Sequence, residues 1–240
     1  MFSRAYEIFL SNQNLFLTGI RNTLVVSLIG TIFGLLIGFL LSMVRSIKID
    51  DKDVLVIKIL KRIAIGLVNF YIEFVRGTPM MVQAVFLYYT LYKAIGWTPM
   101  TASLIIVSFN TASYMAEILR SGIQSVDKGQ TEAALALGMS QMKAFVKIIL
   151  PQALRNSFPS IGNEFVVNIK DTSVLNAIQL TELYYQGISY AGRTYQFSES
   201  MLILLIIYFI LTYTTTRLLA VIEKSLHKTK VTQVSQHVSN

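Results

Sequence analysis

The stretch that decides the fold is residues 22–44, which read NTLVVSLIGTIFGLLIGFLLSMV. This run contains no Asp, Glu, Lys or Arg, and roughly 20 mostly apolar residues are enough for a helix to cross the hydrocarbon core of a bilayer. The run is too long for the apolar region of a cleavable signal peptide, and no compact basic segment precedes it. We therefore predict a retained membrane-spanning helix.

The composition of the whole chain supports a membrane protein. Of its 240 residues, 53% are hydrophobic and only 14% are charged, whereas an average soluble domain carries about 25% charged residues. This excludes an ordinary soluble enzyme and a disordered protein. The chain has no cysteine, and its two histidines, His227 and His237, lie near the C-terminus. Disulfides, iron–sulfur clusters, thiol nucleophiles and a histidine metal site in the body of the protein are thereby excluded by count.

Further apolar runs predict an all-α integral membrane protein with five transmembrane helices in one domain, residues 1–226, followed by a polar cytoplasmic tail, residues 227–240. The predicted spans cover about residues 20–44, 77–95, 97–119, 154–180 and 199–222. The fourth span is less clean than the others because it contains Glu164, Lys170 and Asp171.

The distribution of basic residues predicts the orientation of these spans. Lysine and arginine collect in residues 45–62, in residues 120–155 and in the C-terminal tail, whereas the alternate loops hold few. By the positive-inside rule the basic loops are cytoplasmic. Five spans with the N-terminus outside and the C-terminus inside satisfy every loop. The net charge of +8 is then a consequence of topology and does not indicate nucleic-acid binding.

Residues 54–75 are the main ambiguity in this topology. Their charged and apolar residues alternate with a helical period, which is typical of an amphipathic helix lying in the membrane interface. The alternative is a sixth span, which would place the basic loop 120–155 outside. We predict an interfacial helix because it keeps that loop cytoplasmic.

The loop at residues 129–151 predicts two short helices on the cytoplasmic face. Glu132–Leu137 is a strong helix-forming segment that Gln130 or Thr131 could open, and Gly138 is suited to a left-handed turn after it. A second helix, residues 140–150, follows with Ser140 as a candidate N-cap. Such a projection is suited to docking in a groove on another protein.

The same loop resembles the cytoplasmic loop of ATP-binding-cassette (ABC) importer permeases, in which E-A-A, three residues, G, nine residues and I-x-L-P follow one another. The matching residues are Glu132, Ala133, Ala134, Gly138, Ile148, Leu150 and Pro151. Residues 74–79 with 82–83, 116–120 and 170–173 are similar to the polar amino acid branch of that family, whose members carry solutes such as histidine, glutamine, arginine or cystine. The resemblance runs from about residue 15 to residue 225.

This resemblance implies a type I importer and a set of partners. In such importers a permease pair, either two copies or two sister chains, docks on two ABC ATPase subunits that bind ATP and Mg. An extracytoplasmic binding protein delivers the solute. Glu132, Ala133, Ala134, Gly138, Leu150 and Pro151 would couple the ATPase to alternating access in the bacterial cytoplasmic membrane. The chain has no GxxxxGK[ST] phosphate loop, so it is expected to be neither the ATPase nor an enzyme, and to hold no cofactor of its own.

Two polar stripes predict where a solute passes. Ser157, Glu164, Asn168 and Asp171 recur at helical spacing, as do Ser103, Asn110, Tyr114 and Glu117. We expect the two stripes to face each other, with Glu164 or Asp171 binding the ammonium of an amino acid. Backbone donors or Lys170 would bind its carboxylate, and Asn110 and Tyr114 would orient its side chain. The pathway candidates are Asn110, Ser113, Tyr114, Glu164, Asn168, Lys170 and Asp171.

Several alternatives stay open at the level of sequence. The polar stripes could instead hold helices together in lipid, and Glu117 with Arg120 is interpreted as a structural ion pair. Gly30, Gly34 and Gly38 predict close helix packing, either within one subunit or between two. A stand-alone channel or a secondary transporter is the alternative function. The sequence does not distinguish the individual amino acid carried.

Overall fold

The computed structural model describes residues 1–47, 49–51 and 53–237, and the side chains of these residues as far as Ser225. Within these ranges the chain is helical and contains no strand. The elements are α1 (Phe2–Ser11), α2 (Gln13–Arg45), α3 (Leu55–Gly77), α4 (Met80–Ile95), α5 (Pro99–Gln124), α6 (Lys128–Ala136), α7 (Gln141–Ala144), a π-helical segment (Phe145–Ile149), α8 (Leu150–Asp171), a 3₁₀ helix (Thr172–Ile178), α9 (Leu183–Thr194) and α10 (Phe197–His237).

The tightest packing in the molecule joins α2 to α5. A Cβ atom added at Gly30 would meet the side chain of Val107, and one added at Gly34 would meet Thr111. At Gly38 the added atom would lie 2.9 Å from the backbone nitrogen of Ala116. The predicted glycine stripe therefore packs within the subunit, because only glycine allows the two backbones to approach this closely.

α8 packs against α5 and also contacts α2 and α10. A Cβ added at Gly122 on α5 would overlap the Oγ of Ser157 on α8, whose hydroxyl donates to the carbonyl of Ile118. The three helices α2, α5 and α8 thus form the centre of the bundle. Two apolar clusters flank it, one around the stacked rings of Tyr88 and Trp97 and the other where α1 and α9 meet α10.

Three of the described helices are long and apolar enough to cross a membrane, namely α2, α5 and the part of α10 up to Ser225. The predicted spans 20–44, 97–119 and 199–222 lie within them. α4 has 16 residues and is about 24 Å long at 1.5 Å per residue, shorter than a hydrocarbon core of about 30 Å. α8 is longer but contains four charged residues. The spans 77–95 and 154–180 therefore stay predictions.

The segment predicted as an interfacial helix forms the 23-residue helix α3. Most of its apolar side chains are exposed, and Ile72 and Val75 are its buried residues. Just before α3, Asp53 lies 2.5 Å from the Nζ atom of Lys61, and this hydrogen-bonded ammonium holds the pKa of the Asp53 carboxyl below its usual value. α3 contacts the bundle mainly through α5 and α2. These contacts do not define the depth of α3 in a membrane, so its placement in the interface stays a prediction.

Two elements were not predicted from the sequence. α1 buries Ala5 and Ile8 against the apolar cluster that α10 shares with α9. The N-cap of α9 is Glu182, whose carboxylate accepts from the backbone nitrogens of Tyr184 and Tyr185. Both helices are too short for a sequence search for spans to detect them. At the other end of the chain α10 continues to His237, through most of the residues predicted as the polar tail.

Candidate functional site

The first helix of the loop at residues 129–151 begins about one turn earlier than predicted. α6 starts at Lys128, and its N-cap is Asp127, whose carboxylate accepts from the backbone nitrogen of Gly129. Neither Gln130 nor Thr131 opens the helix, because Asp127 is the stronger capping residue and stands before both. The helix ends as predicted: Gly138 has φ +81°, and its backbone nitrogen donates to the carbonyl of Leu135.

The turn at Gly138, with α6 before it and α7 after it, projects from the surface of the molecule. We call residues 128–144 the exposed projection. Leu137 is 84% exposed and Met142 is 70% exposed, one on each side of the turn. Glu132 and Ala133 are also exposed, whereas Ala134 is buried on the inner side of α6. These two side chains give a partner protein apolar area to cover on both sides of the turn.

A continuous helical path connects this projection to the bundle. Ser140 caps α7 by accepting from the backbone nitrogen of Lys143, as predicted. A π-helical segment then leads directly into α8, with Leu150 and Pro151 in the first turn of α8. Pro151 has no backbone N–H, and it stands where the bonding of the π-helical segment, as from the nitrogen of Leu150 to the carbonyl of Phe145, passes into α8. The segment after the turn is therefore joined to α8 without an intervening loop.

A cavity of about 460 Å³ lies where α3, α5 and α8 meet, and we call it the polar cavity. Its lining residues are Arg76, Tyr114, Glu117, Ile118, Pro159, Ser160, Asn163 and Glu164. The expectation that the polar stripes of α5 and α8 face each other is thus met at Tyr114, Glu117 and Glu164. The volume lies in the range of about 300–1,000 Å³ that is usual for small-molecule sites.

Glu117 is the most highly connected charge in this cavity. Its Oε2 accepts from Nη2 and Nε of Arg120 across 2.8 and 3.0 Å, which is the ion pair interpreted from the sequence. Its Oε1 accepts from Nη1 of Arg45, at the end of α2, across 2.5 Å. Nη1 of Arg76 on α3 lies 3.9 Å from the same oxygen. The carboxylate therefore links α2, α3 and α5.

Two of the pathway candidates are buried and hydrogen-bonded inside the bundle. The amide of Asn168 donates to Oγ1 of Thr31 across 2.8 Å and accepts from Oγ1 of Thr111 across 3.1 Å, so it joins α8 to α2 and α5. The hydroxyl of Ser113 donates to the carbonyl of Asn110 on its own helix. The contacts of Asn168 favour the helix-packing alternative at that position, whereas the hydroxyl of Ser113 is satisfied within α5.

The remaining candidates lie away from the polar cavity. Lys170 and Asp171 are exposed at the C-terminal end of α8, and neither lines the cavity. Asn110 lies in a second, largely apolar cavity of about 950 Å³ between α3, α4 and α5. There its amide donates to Oε1 of Gln83 across 3.3 Å. The structure therefore brings only Tyr114 and Glu164, out of seven candidates, to the polar cavity.

Sequence reasoning missed two residues that organise these cavities. Arg76 directly follows the predicted interfacial helix, residues 54–75, and its guanidinium lies over the ring of Tyr114 with 5.5 Å between Cζ and the ring centroid. Gln83 donates to the carbonyls of Val75 and Thr78 and so closes the turn between α3 and α4. The only signal for either was its place in the segments 74–79 and 82–83 that resemble amino acid permeases.

Comparison with known proteins agrees with this architecture. "Probable amino-acid permease protein YxeN" of Bacillus subtilis is 34% identical over 86% of this chain and 88% of its own length. "Glutamine transport system permease protein GlnP" of Escherichia coli is 32% identical over 88% of this chain and 92% of its own. A solved amino acid ABC transporter with histidines superposes with a TM-score of 0.80 and 32% identity, over 90% of this chain and 96% of that chain.

The fold extends beyond these relatives. A methionine ABC transporter, MetNI, in an inward-facing conformation superposes with a TM-score of 0.74 at 19% identity, which indicates the fold alone. A family model described as "Binding-protein-dependent transport system inner membrane component" matches residues 59–228, which include α4 to α9 and the whole exposed projection. These findings confirm the predicted resemblance, and the chain belongs to the family of binding-protein-dependent transport system inner membrane components.

Proposed function

We propose that this chain is the membrane-spanning permease subunit of an ATP-driven ABC importer that moves a polar amino acid across the bacterial cytoplasmic membrane by alternating access. The observation that carries the proposal is the exposed projection around Gly138, in a chain whose family depends on partner proteins. The relatives named for glutamine and for amino acids in general support the class of solute.

The projection would dock on a separate ATPase subunit. Leu137 and Met142 supply apolar area, and Glu132 supplies a charge on the exposed side of α6. Because the π-helical segment and α8 follow without a break, closure of the ATPases would rotate or shift α8 against α5. ATP and Mg would be bound by that partner, and this chain would contribute no catalytic residue.

The polar cavity would form part of the solute pathway. Among the described residues, no arginine lies within hydrogen-bonding distance of the Glu164 carboxylate, whereas the Glu117 carboxylate accepts hydrogen bonds from Arg45 and Arg120. A free carboxylate beside Tyr114, Ser160 and Asn163 is suited to the ammonium group of an amino acid. A second permease chain would complete the pathway, and an extracytoplasmic binding protein would supply the solute.

Co-purification tests the architecture. The tagged wild-type chain and Leu137→Asp would be solubilised gently from their own cells, and stoichiometric partners identified by mass spectrometry. Tyr195→Asp is the matched control, because Tyr195 is 86% exposed on the segment predicted to lie outside. We expect an ATPase subunit with wild type and with Tyr195→Asp, and its loss with Leu137→Asp.

Uptake of a ¹⁴C-labelled mixture of the twenty protein amino acids by the same cells tests the solute class. Uptake that depends on the chain and on ATP supports the importer. Wild type that brings down no ATPase, under conditions that preserve other membrane complexes, would contradict the proposal. Uptake driven by an ion gradient would then favour a secondary transporter, and passive flux a channel.

A further inference from the structure

Arg76 holds an unusual place in the polar cavity. It stands at the C-terminal end of α3, with Cζ 5.5 Å from the centroid of the Tyr114 ring. Its side chain is 44% exposed, whereas that of Glu117, the nearest acid, is 20% exposed. The ring fixes the direction of the guanidinium by a cation–π contact, and the exposed side faces the space that Glu164 also lines.

Glu117 does not satisfy this guanidinium. Each of its oxygens already accepts a short hydrogen bond, Oε1 from Arg45 and Oε2 from Arg120. The 3.9 Å between Nη1 of Arg76 and Oε1 is too long for a hydrogen bond. In the part of the chain that the structure describes, no acceptor lies within hydrogen-bonding distance of Arg76. Its planar set of five donors is therefore available to an anion.

The charges around the cavity favour a zwitterion. Three guanidinium groups, those of Arg45, Arg76 and Arg120, surround the single carboxylate of Glu117, so this wall has an excess of positive charge. The wall formed by α8 contributes the carboxylate of Glu164. An amino acid, with one carboxylate and one ammonium, matches a cavity with a cation on one wall and an anion on the other.

We propose that Arg76 binds the α-carboxylate of the transported amino acid in the polar cavity, opposite Glu164, which receives its ammonium. The inference rests on the proposed function. Arg76 would exchange its long contact with Glu117 for a bidentate pair with the carboxylate. Lys170, which the sequence predicted for this role as an alternative to backbone donors, is exposed elsewhere on α8 and does not line the cavity. Because Arg76 is on α3 and Glu164 on α8, bound solute would also bridge these two helices.

Competition binding tests this assignment on the intact transporter. The purified complex would be equilibrated with the ¹⁴C-labelled mixture of twenty amino acids, and the label displaced with unlabelled amino acids or with their α-amides, which keep the ammonium but lack the carboxylate. We expect the amides to compete about 10- to 100-fold less well with wild type, the usual effect of losing a charge-assisted hydrogen bond. With Arg76→Gln, the retained label should fall by a similar factor, and amino acids and their α-amides should displace it equally well.

Two further variants separate binding from structure. Arg76→Lys keeps the charge and should keep a reduced preference for amino acids over their α-amides. This variant allows the same comparison if Arg76→Gln is poorly folded. Arg120→Gln removes an arginine from Glu117 but does not line the cavity, so the preference should remain that of wild type. Equal competition by amides and acids on wild type would overturn the assignment, as would an undiminished preference in Arg76→Gln. Wild type that takes up label in cells and keeps its ATPase, yet retains no label when purified, would overturn the site and leave the proposed function standing.

Discussion

Arg45, at the C-terminal end of α2, donates from Nη1 to Oε1 of Glu117 on α5 across 2.5 Å. The two residues lie at the same end of a helix pair whose tightest contacts are those of glycines on α2 with α5. The ion pair therefore fixes the register of α2 on α5 at the end predicted to be cytoplasmic, next to the segment that leads into the exposed projection.

We expect Glu117→Gln to lower the thermal stability of the purified chain. It leaves the guanidinium of Arg45, which is only 21% exposed, without its charged partner, and losing one charged hydrogen bond costs about 1–3 kcal/mol. Tm in detergent measures the effect. Arg120→Gln is the control and should cost less, because the Arg45–Glu117 pair remains and Arg120 is more exposed. An equal loss of Tm in the two variants would show that the link to α2 contributes nothing specific.

Gly38→Ala should destabilise the protein by about 1–3 kcal/mol, the usual cost of overpacking. The added Cβ would lie 2.6 Å from Cβ of Met115 and 2.9 Å from the backbone nitrogen of Ala116, so the helices must separate. Gly66→Ala on α3 is the matched control, since no atom lies within 4 Å of its added Cβ. Alanine there should be neutral or stabilising by up to about 1 kcal/mol. Tm values and size-exclusion profiles of both variants measure these effects. A Gly38→Ala protein with the Tm of wild type would disprove the tight α2–α5 contact.

Asn168→Leu separates the two interpretations of the polar stripe on α8. The leucine removes the hydrogen bonds to Thr31 and Thr111, and we expect a loss of about 1–2 kcal/mol in stability, as for other polar contacts between membrane helices. Helix packing predicts a lower Tm with an unchanged KM for uptake. A changed KM at unchanged Tm would instead establish Asn168 as a pathway residue.

The sequence predicted what depends on local patterns. The glycine stripe, the left-handed turn at Gly138 and the N-cap at Ser140 each follow from spacing within one helix or turn, and the structure confirms them. The ion pair of Glu117 with Arg120 is equally local, since the residues are three apart.

The sequence did not predict what depends on how distant helices approach one another. Arg45 and Glu117 are separated by 72 positions, and nothing in either segment indicates that the end of α2 meets this turn of α5. The same reason explains why the pathway candidates on α8 lie in different surroundings. Helical spacing correctly put Glu164 and Asn168 on related faces, but only the position of α2 decides that Asn168 is buried against Thr31 while Glu164 lines a cavity.

Gly138→Val should uncouple the projection from transport. Valine at φ +81° costs about 1–2 kcal/mol because its Cβ approaches the following carbonyl, and no neighbouring atom lies within 4 Å to add a steric effect. The turn that presents Leu137 would rearrange. Gly138→Asn is the matched control, since asparagine tolerates the left-handed conformation. We expect uptake to fall several-fold in Gly138→Val and to stay near wild type in Gly138→Asn. Equal uptake in both variants would show that the backbone conformation at Gly138 is not required.

Single-cysteine labelling decides between five and six spans, because the chain has no cysteine of its own. With α3 in the interface, Gln141→Cys lies inside and Thr194→Cys outside; with α3 as a sixth span, both positions change sides. Both residues are exposed in the structure, so a membrane-impermeant maleimide on intact spheroplasts should label Thr194→Cys and leave Gln141→Cys unlabelled until the cells are lysed. Asp51→Cys, which lies inside under either topology, checks that the membrane is sealed. The reverse pattern would make α3 a transmembrane helix, and it would place the exposed projection on the side of the membrane where no ATPase can reach it.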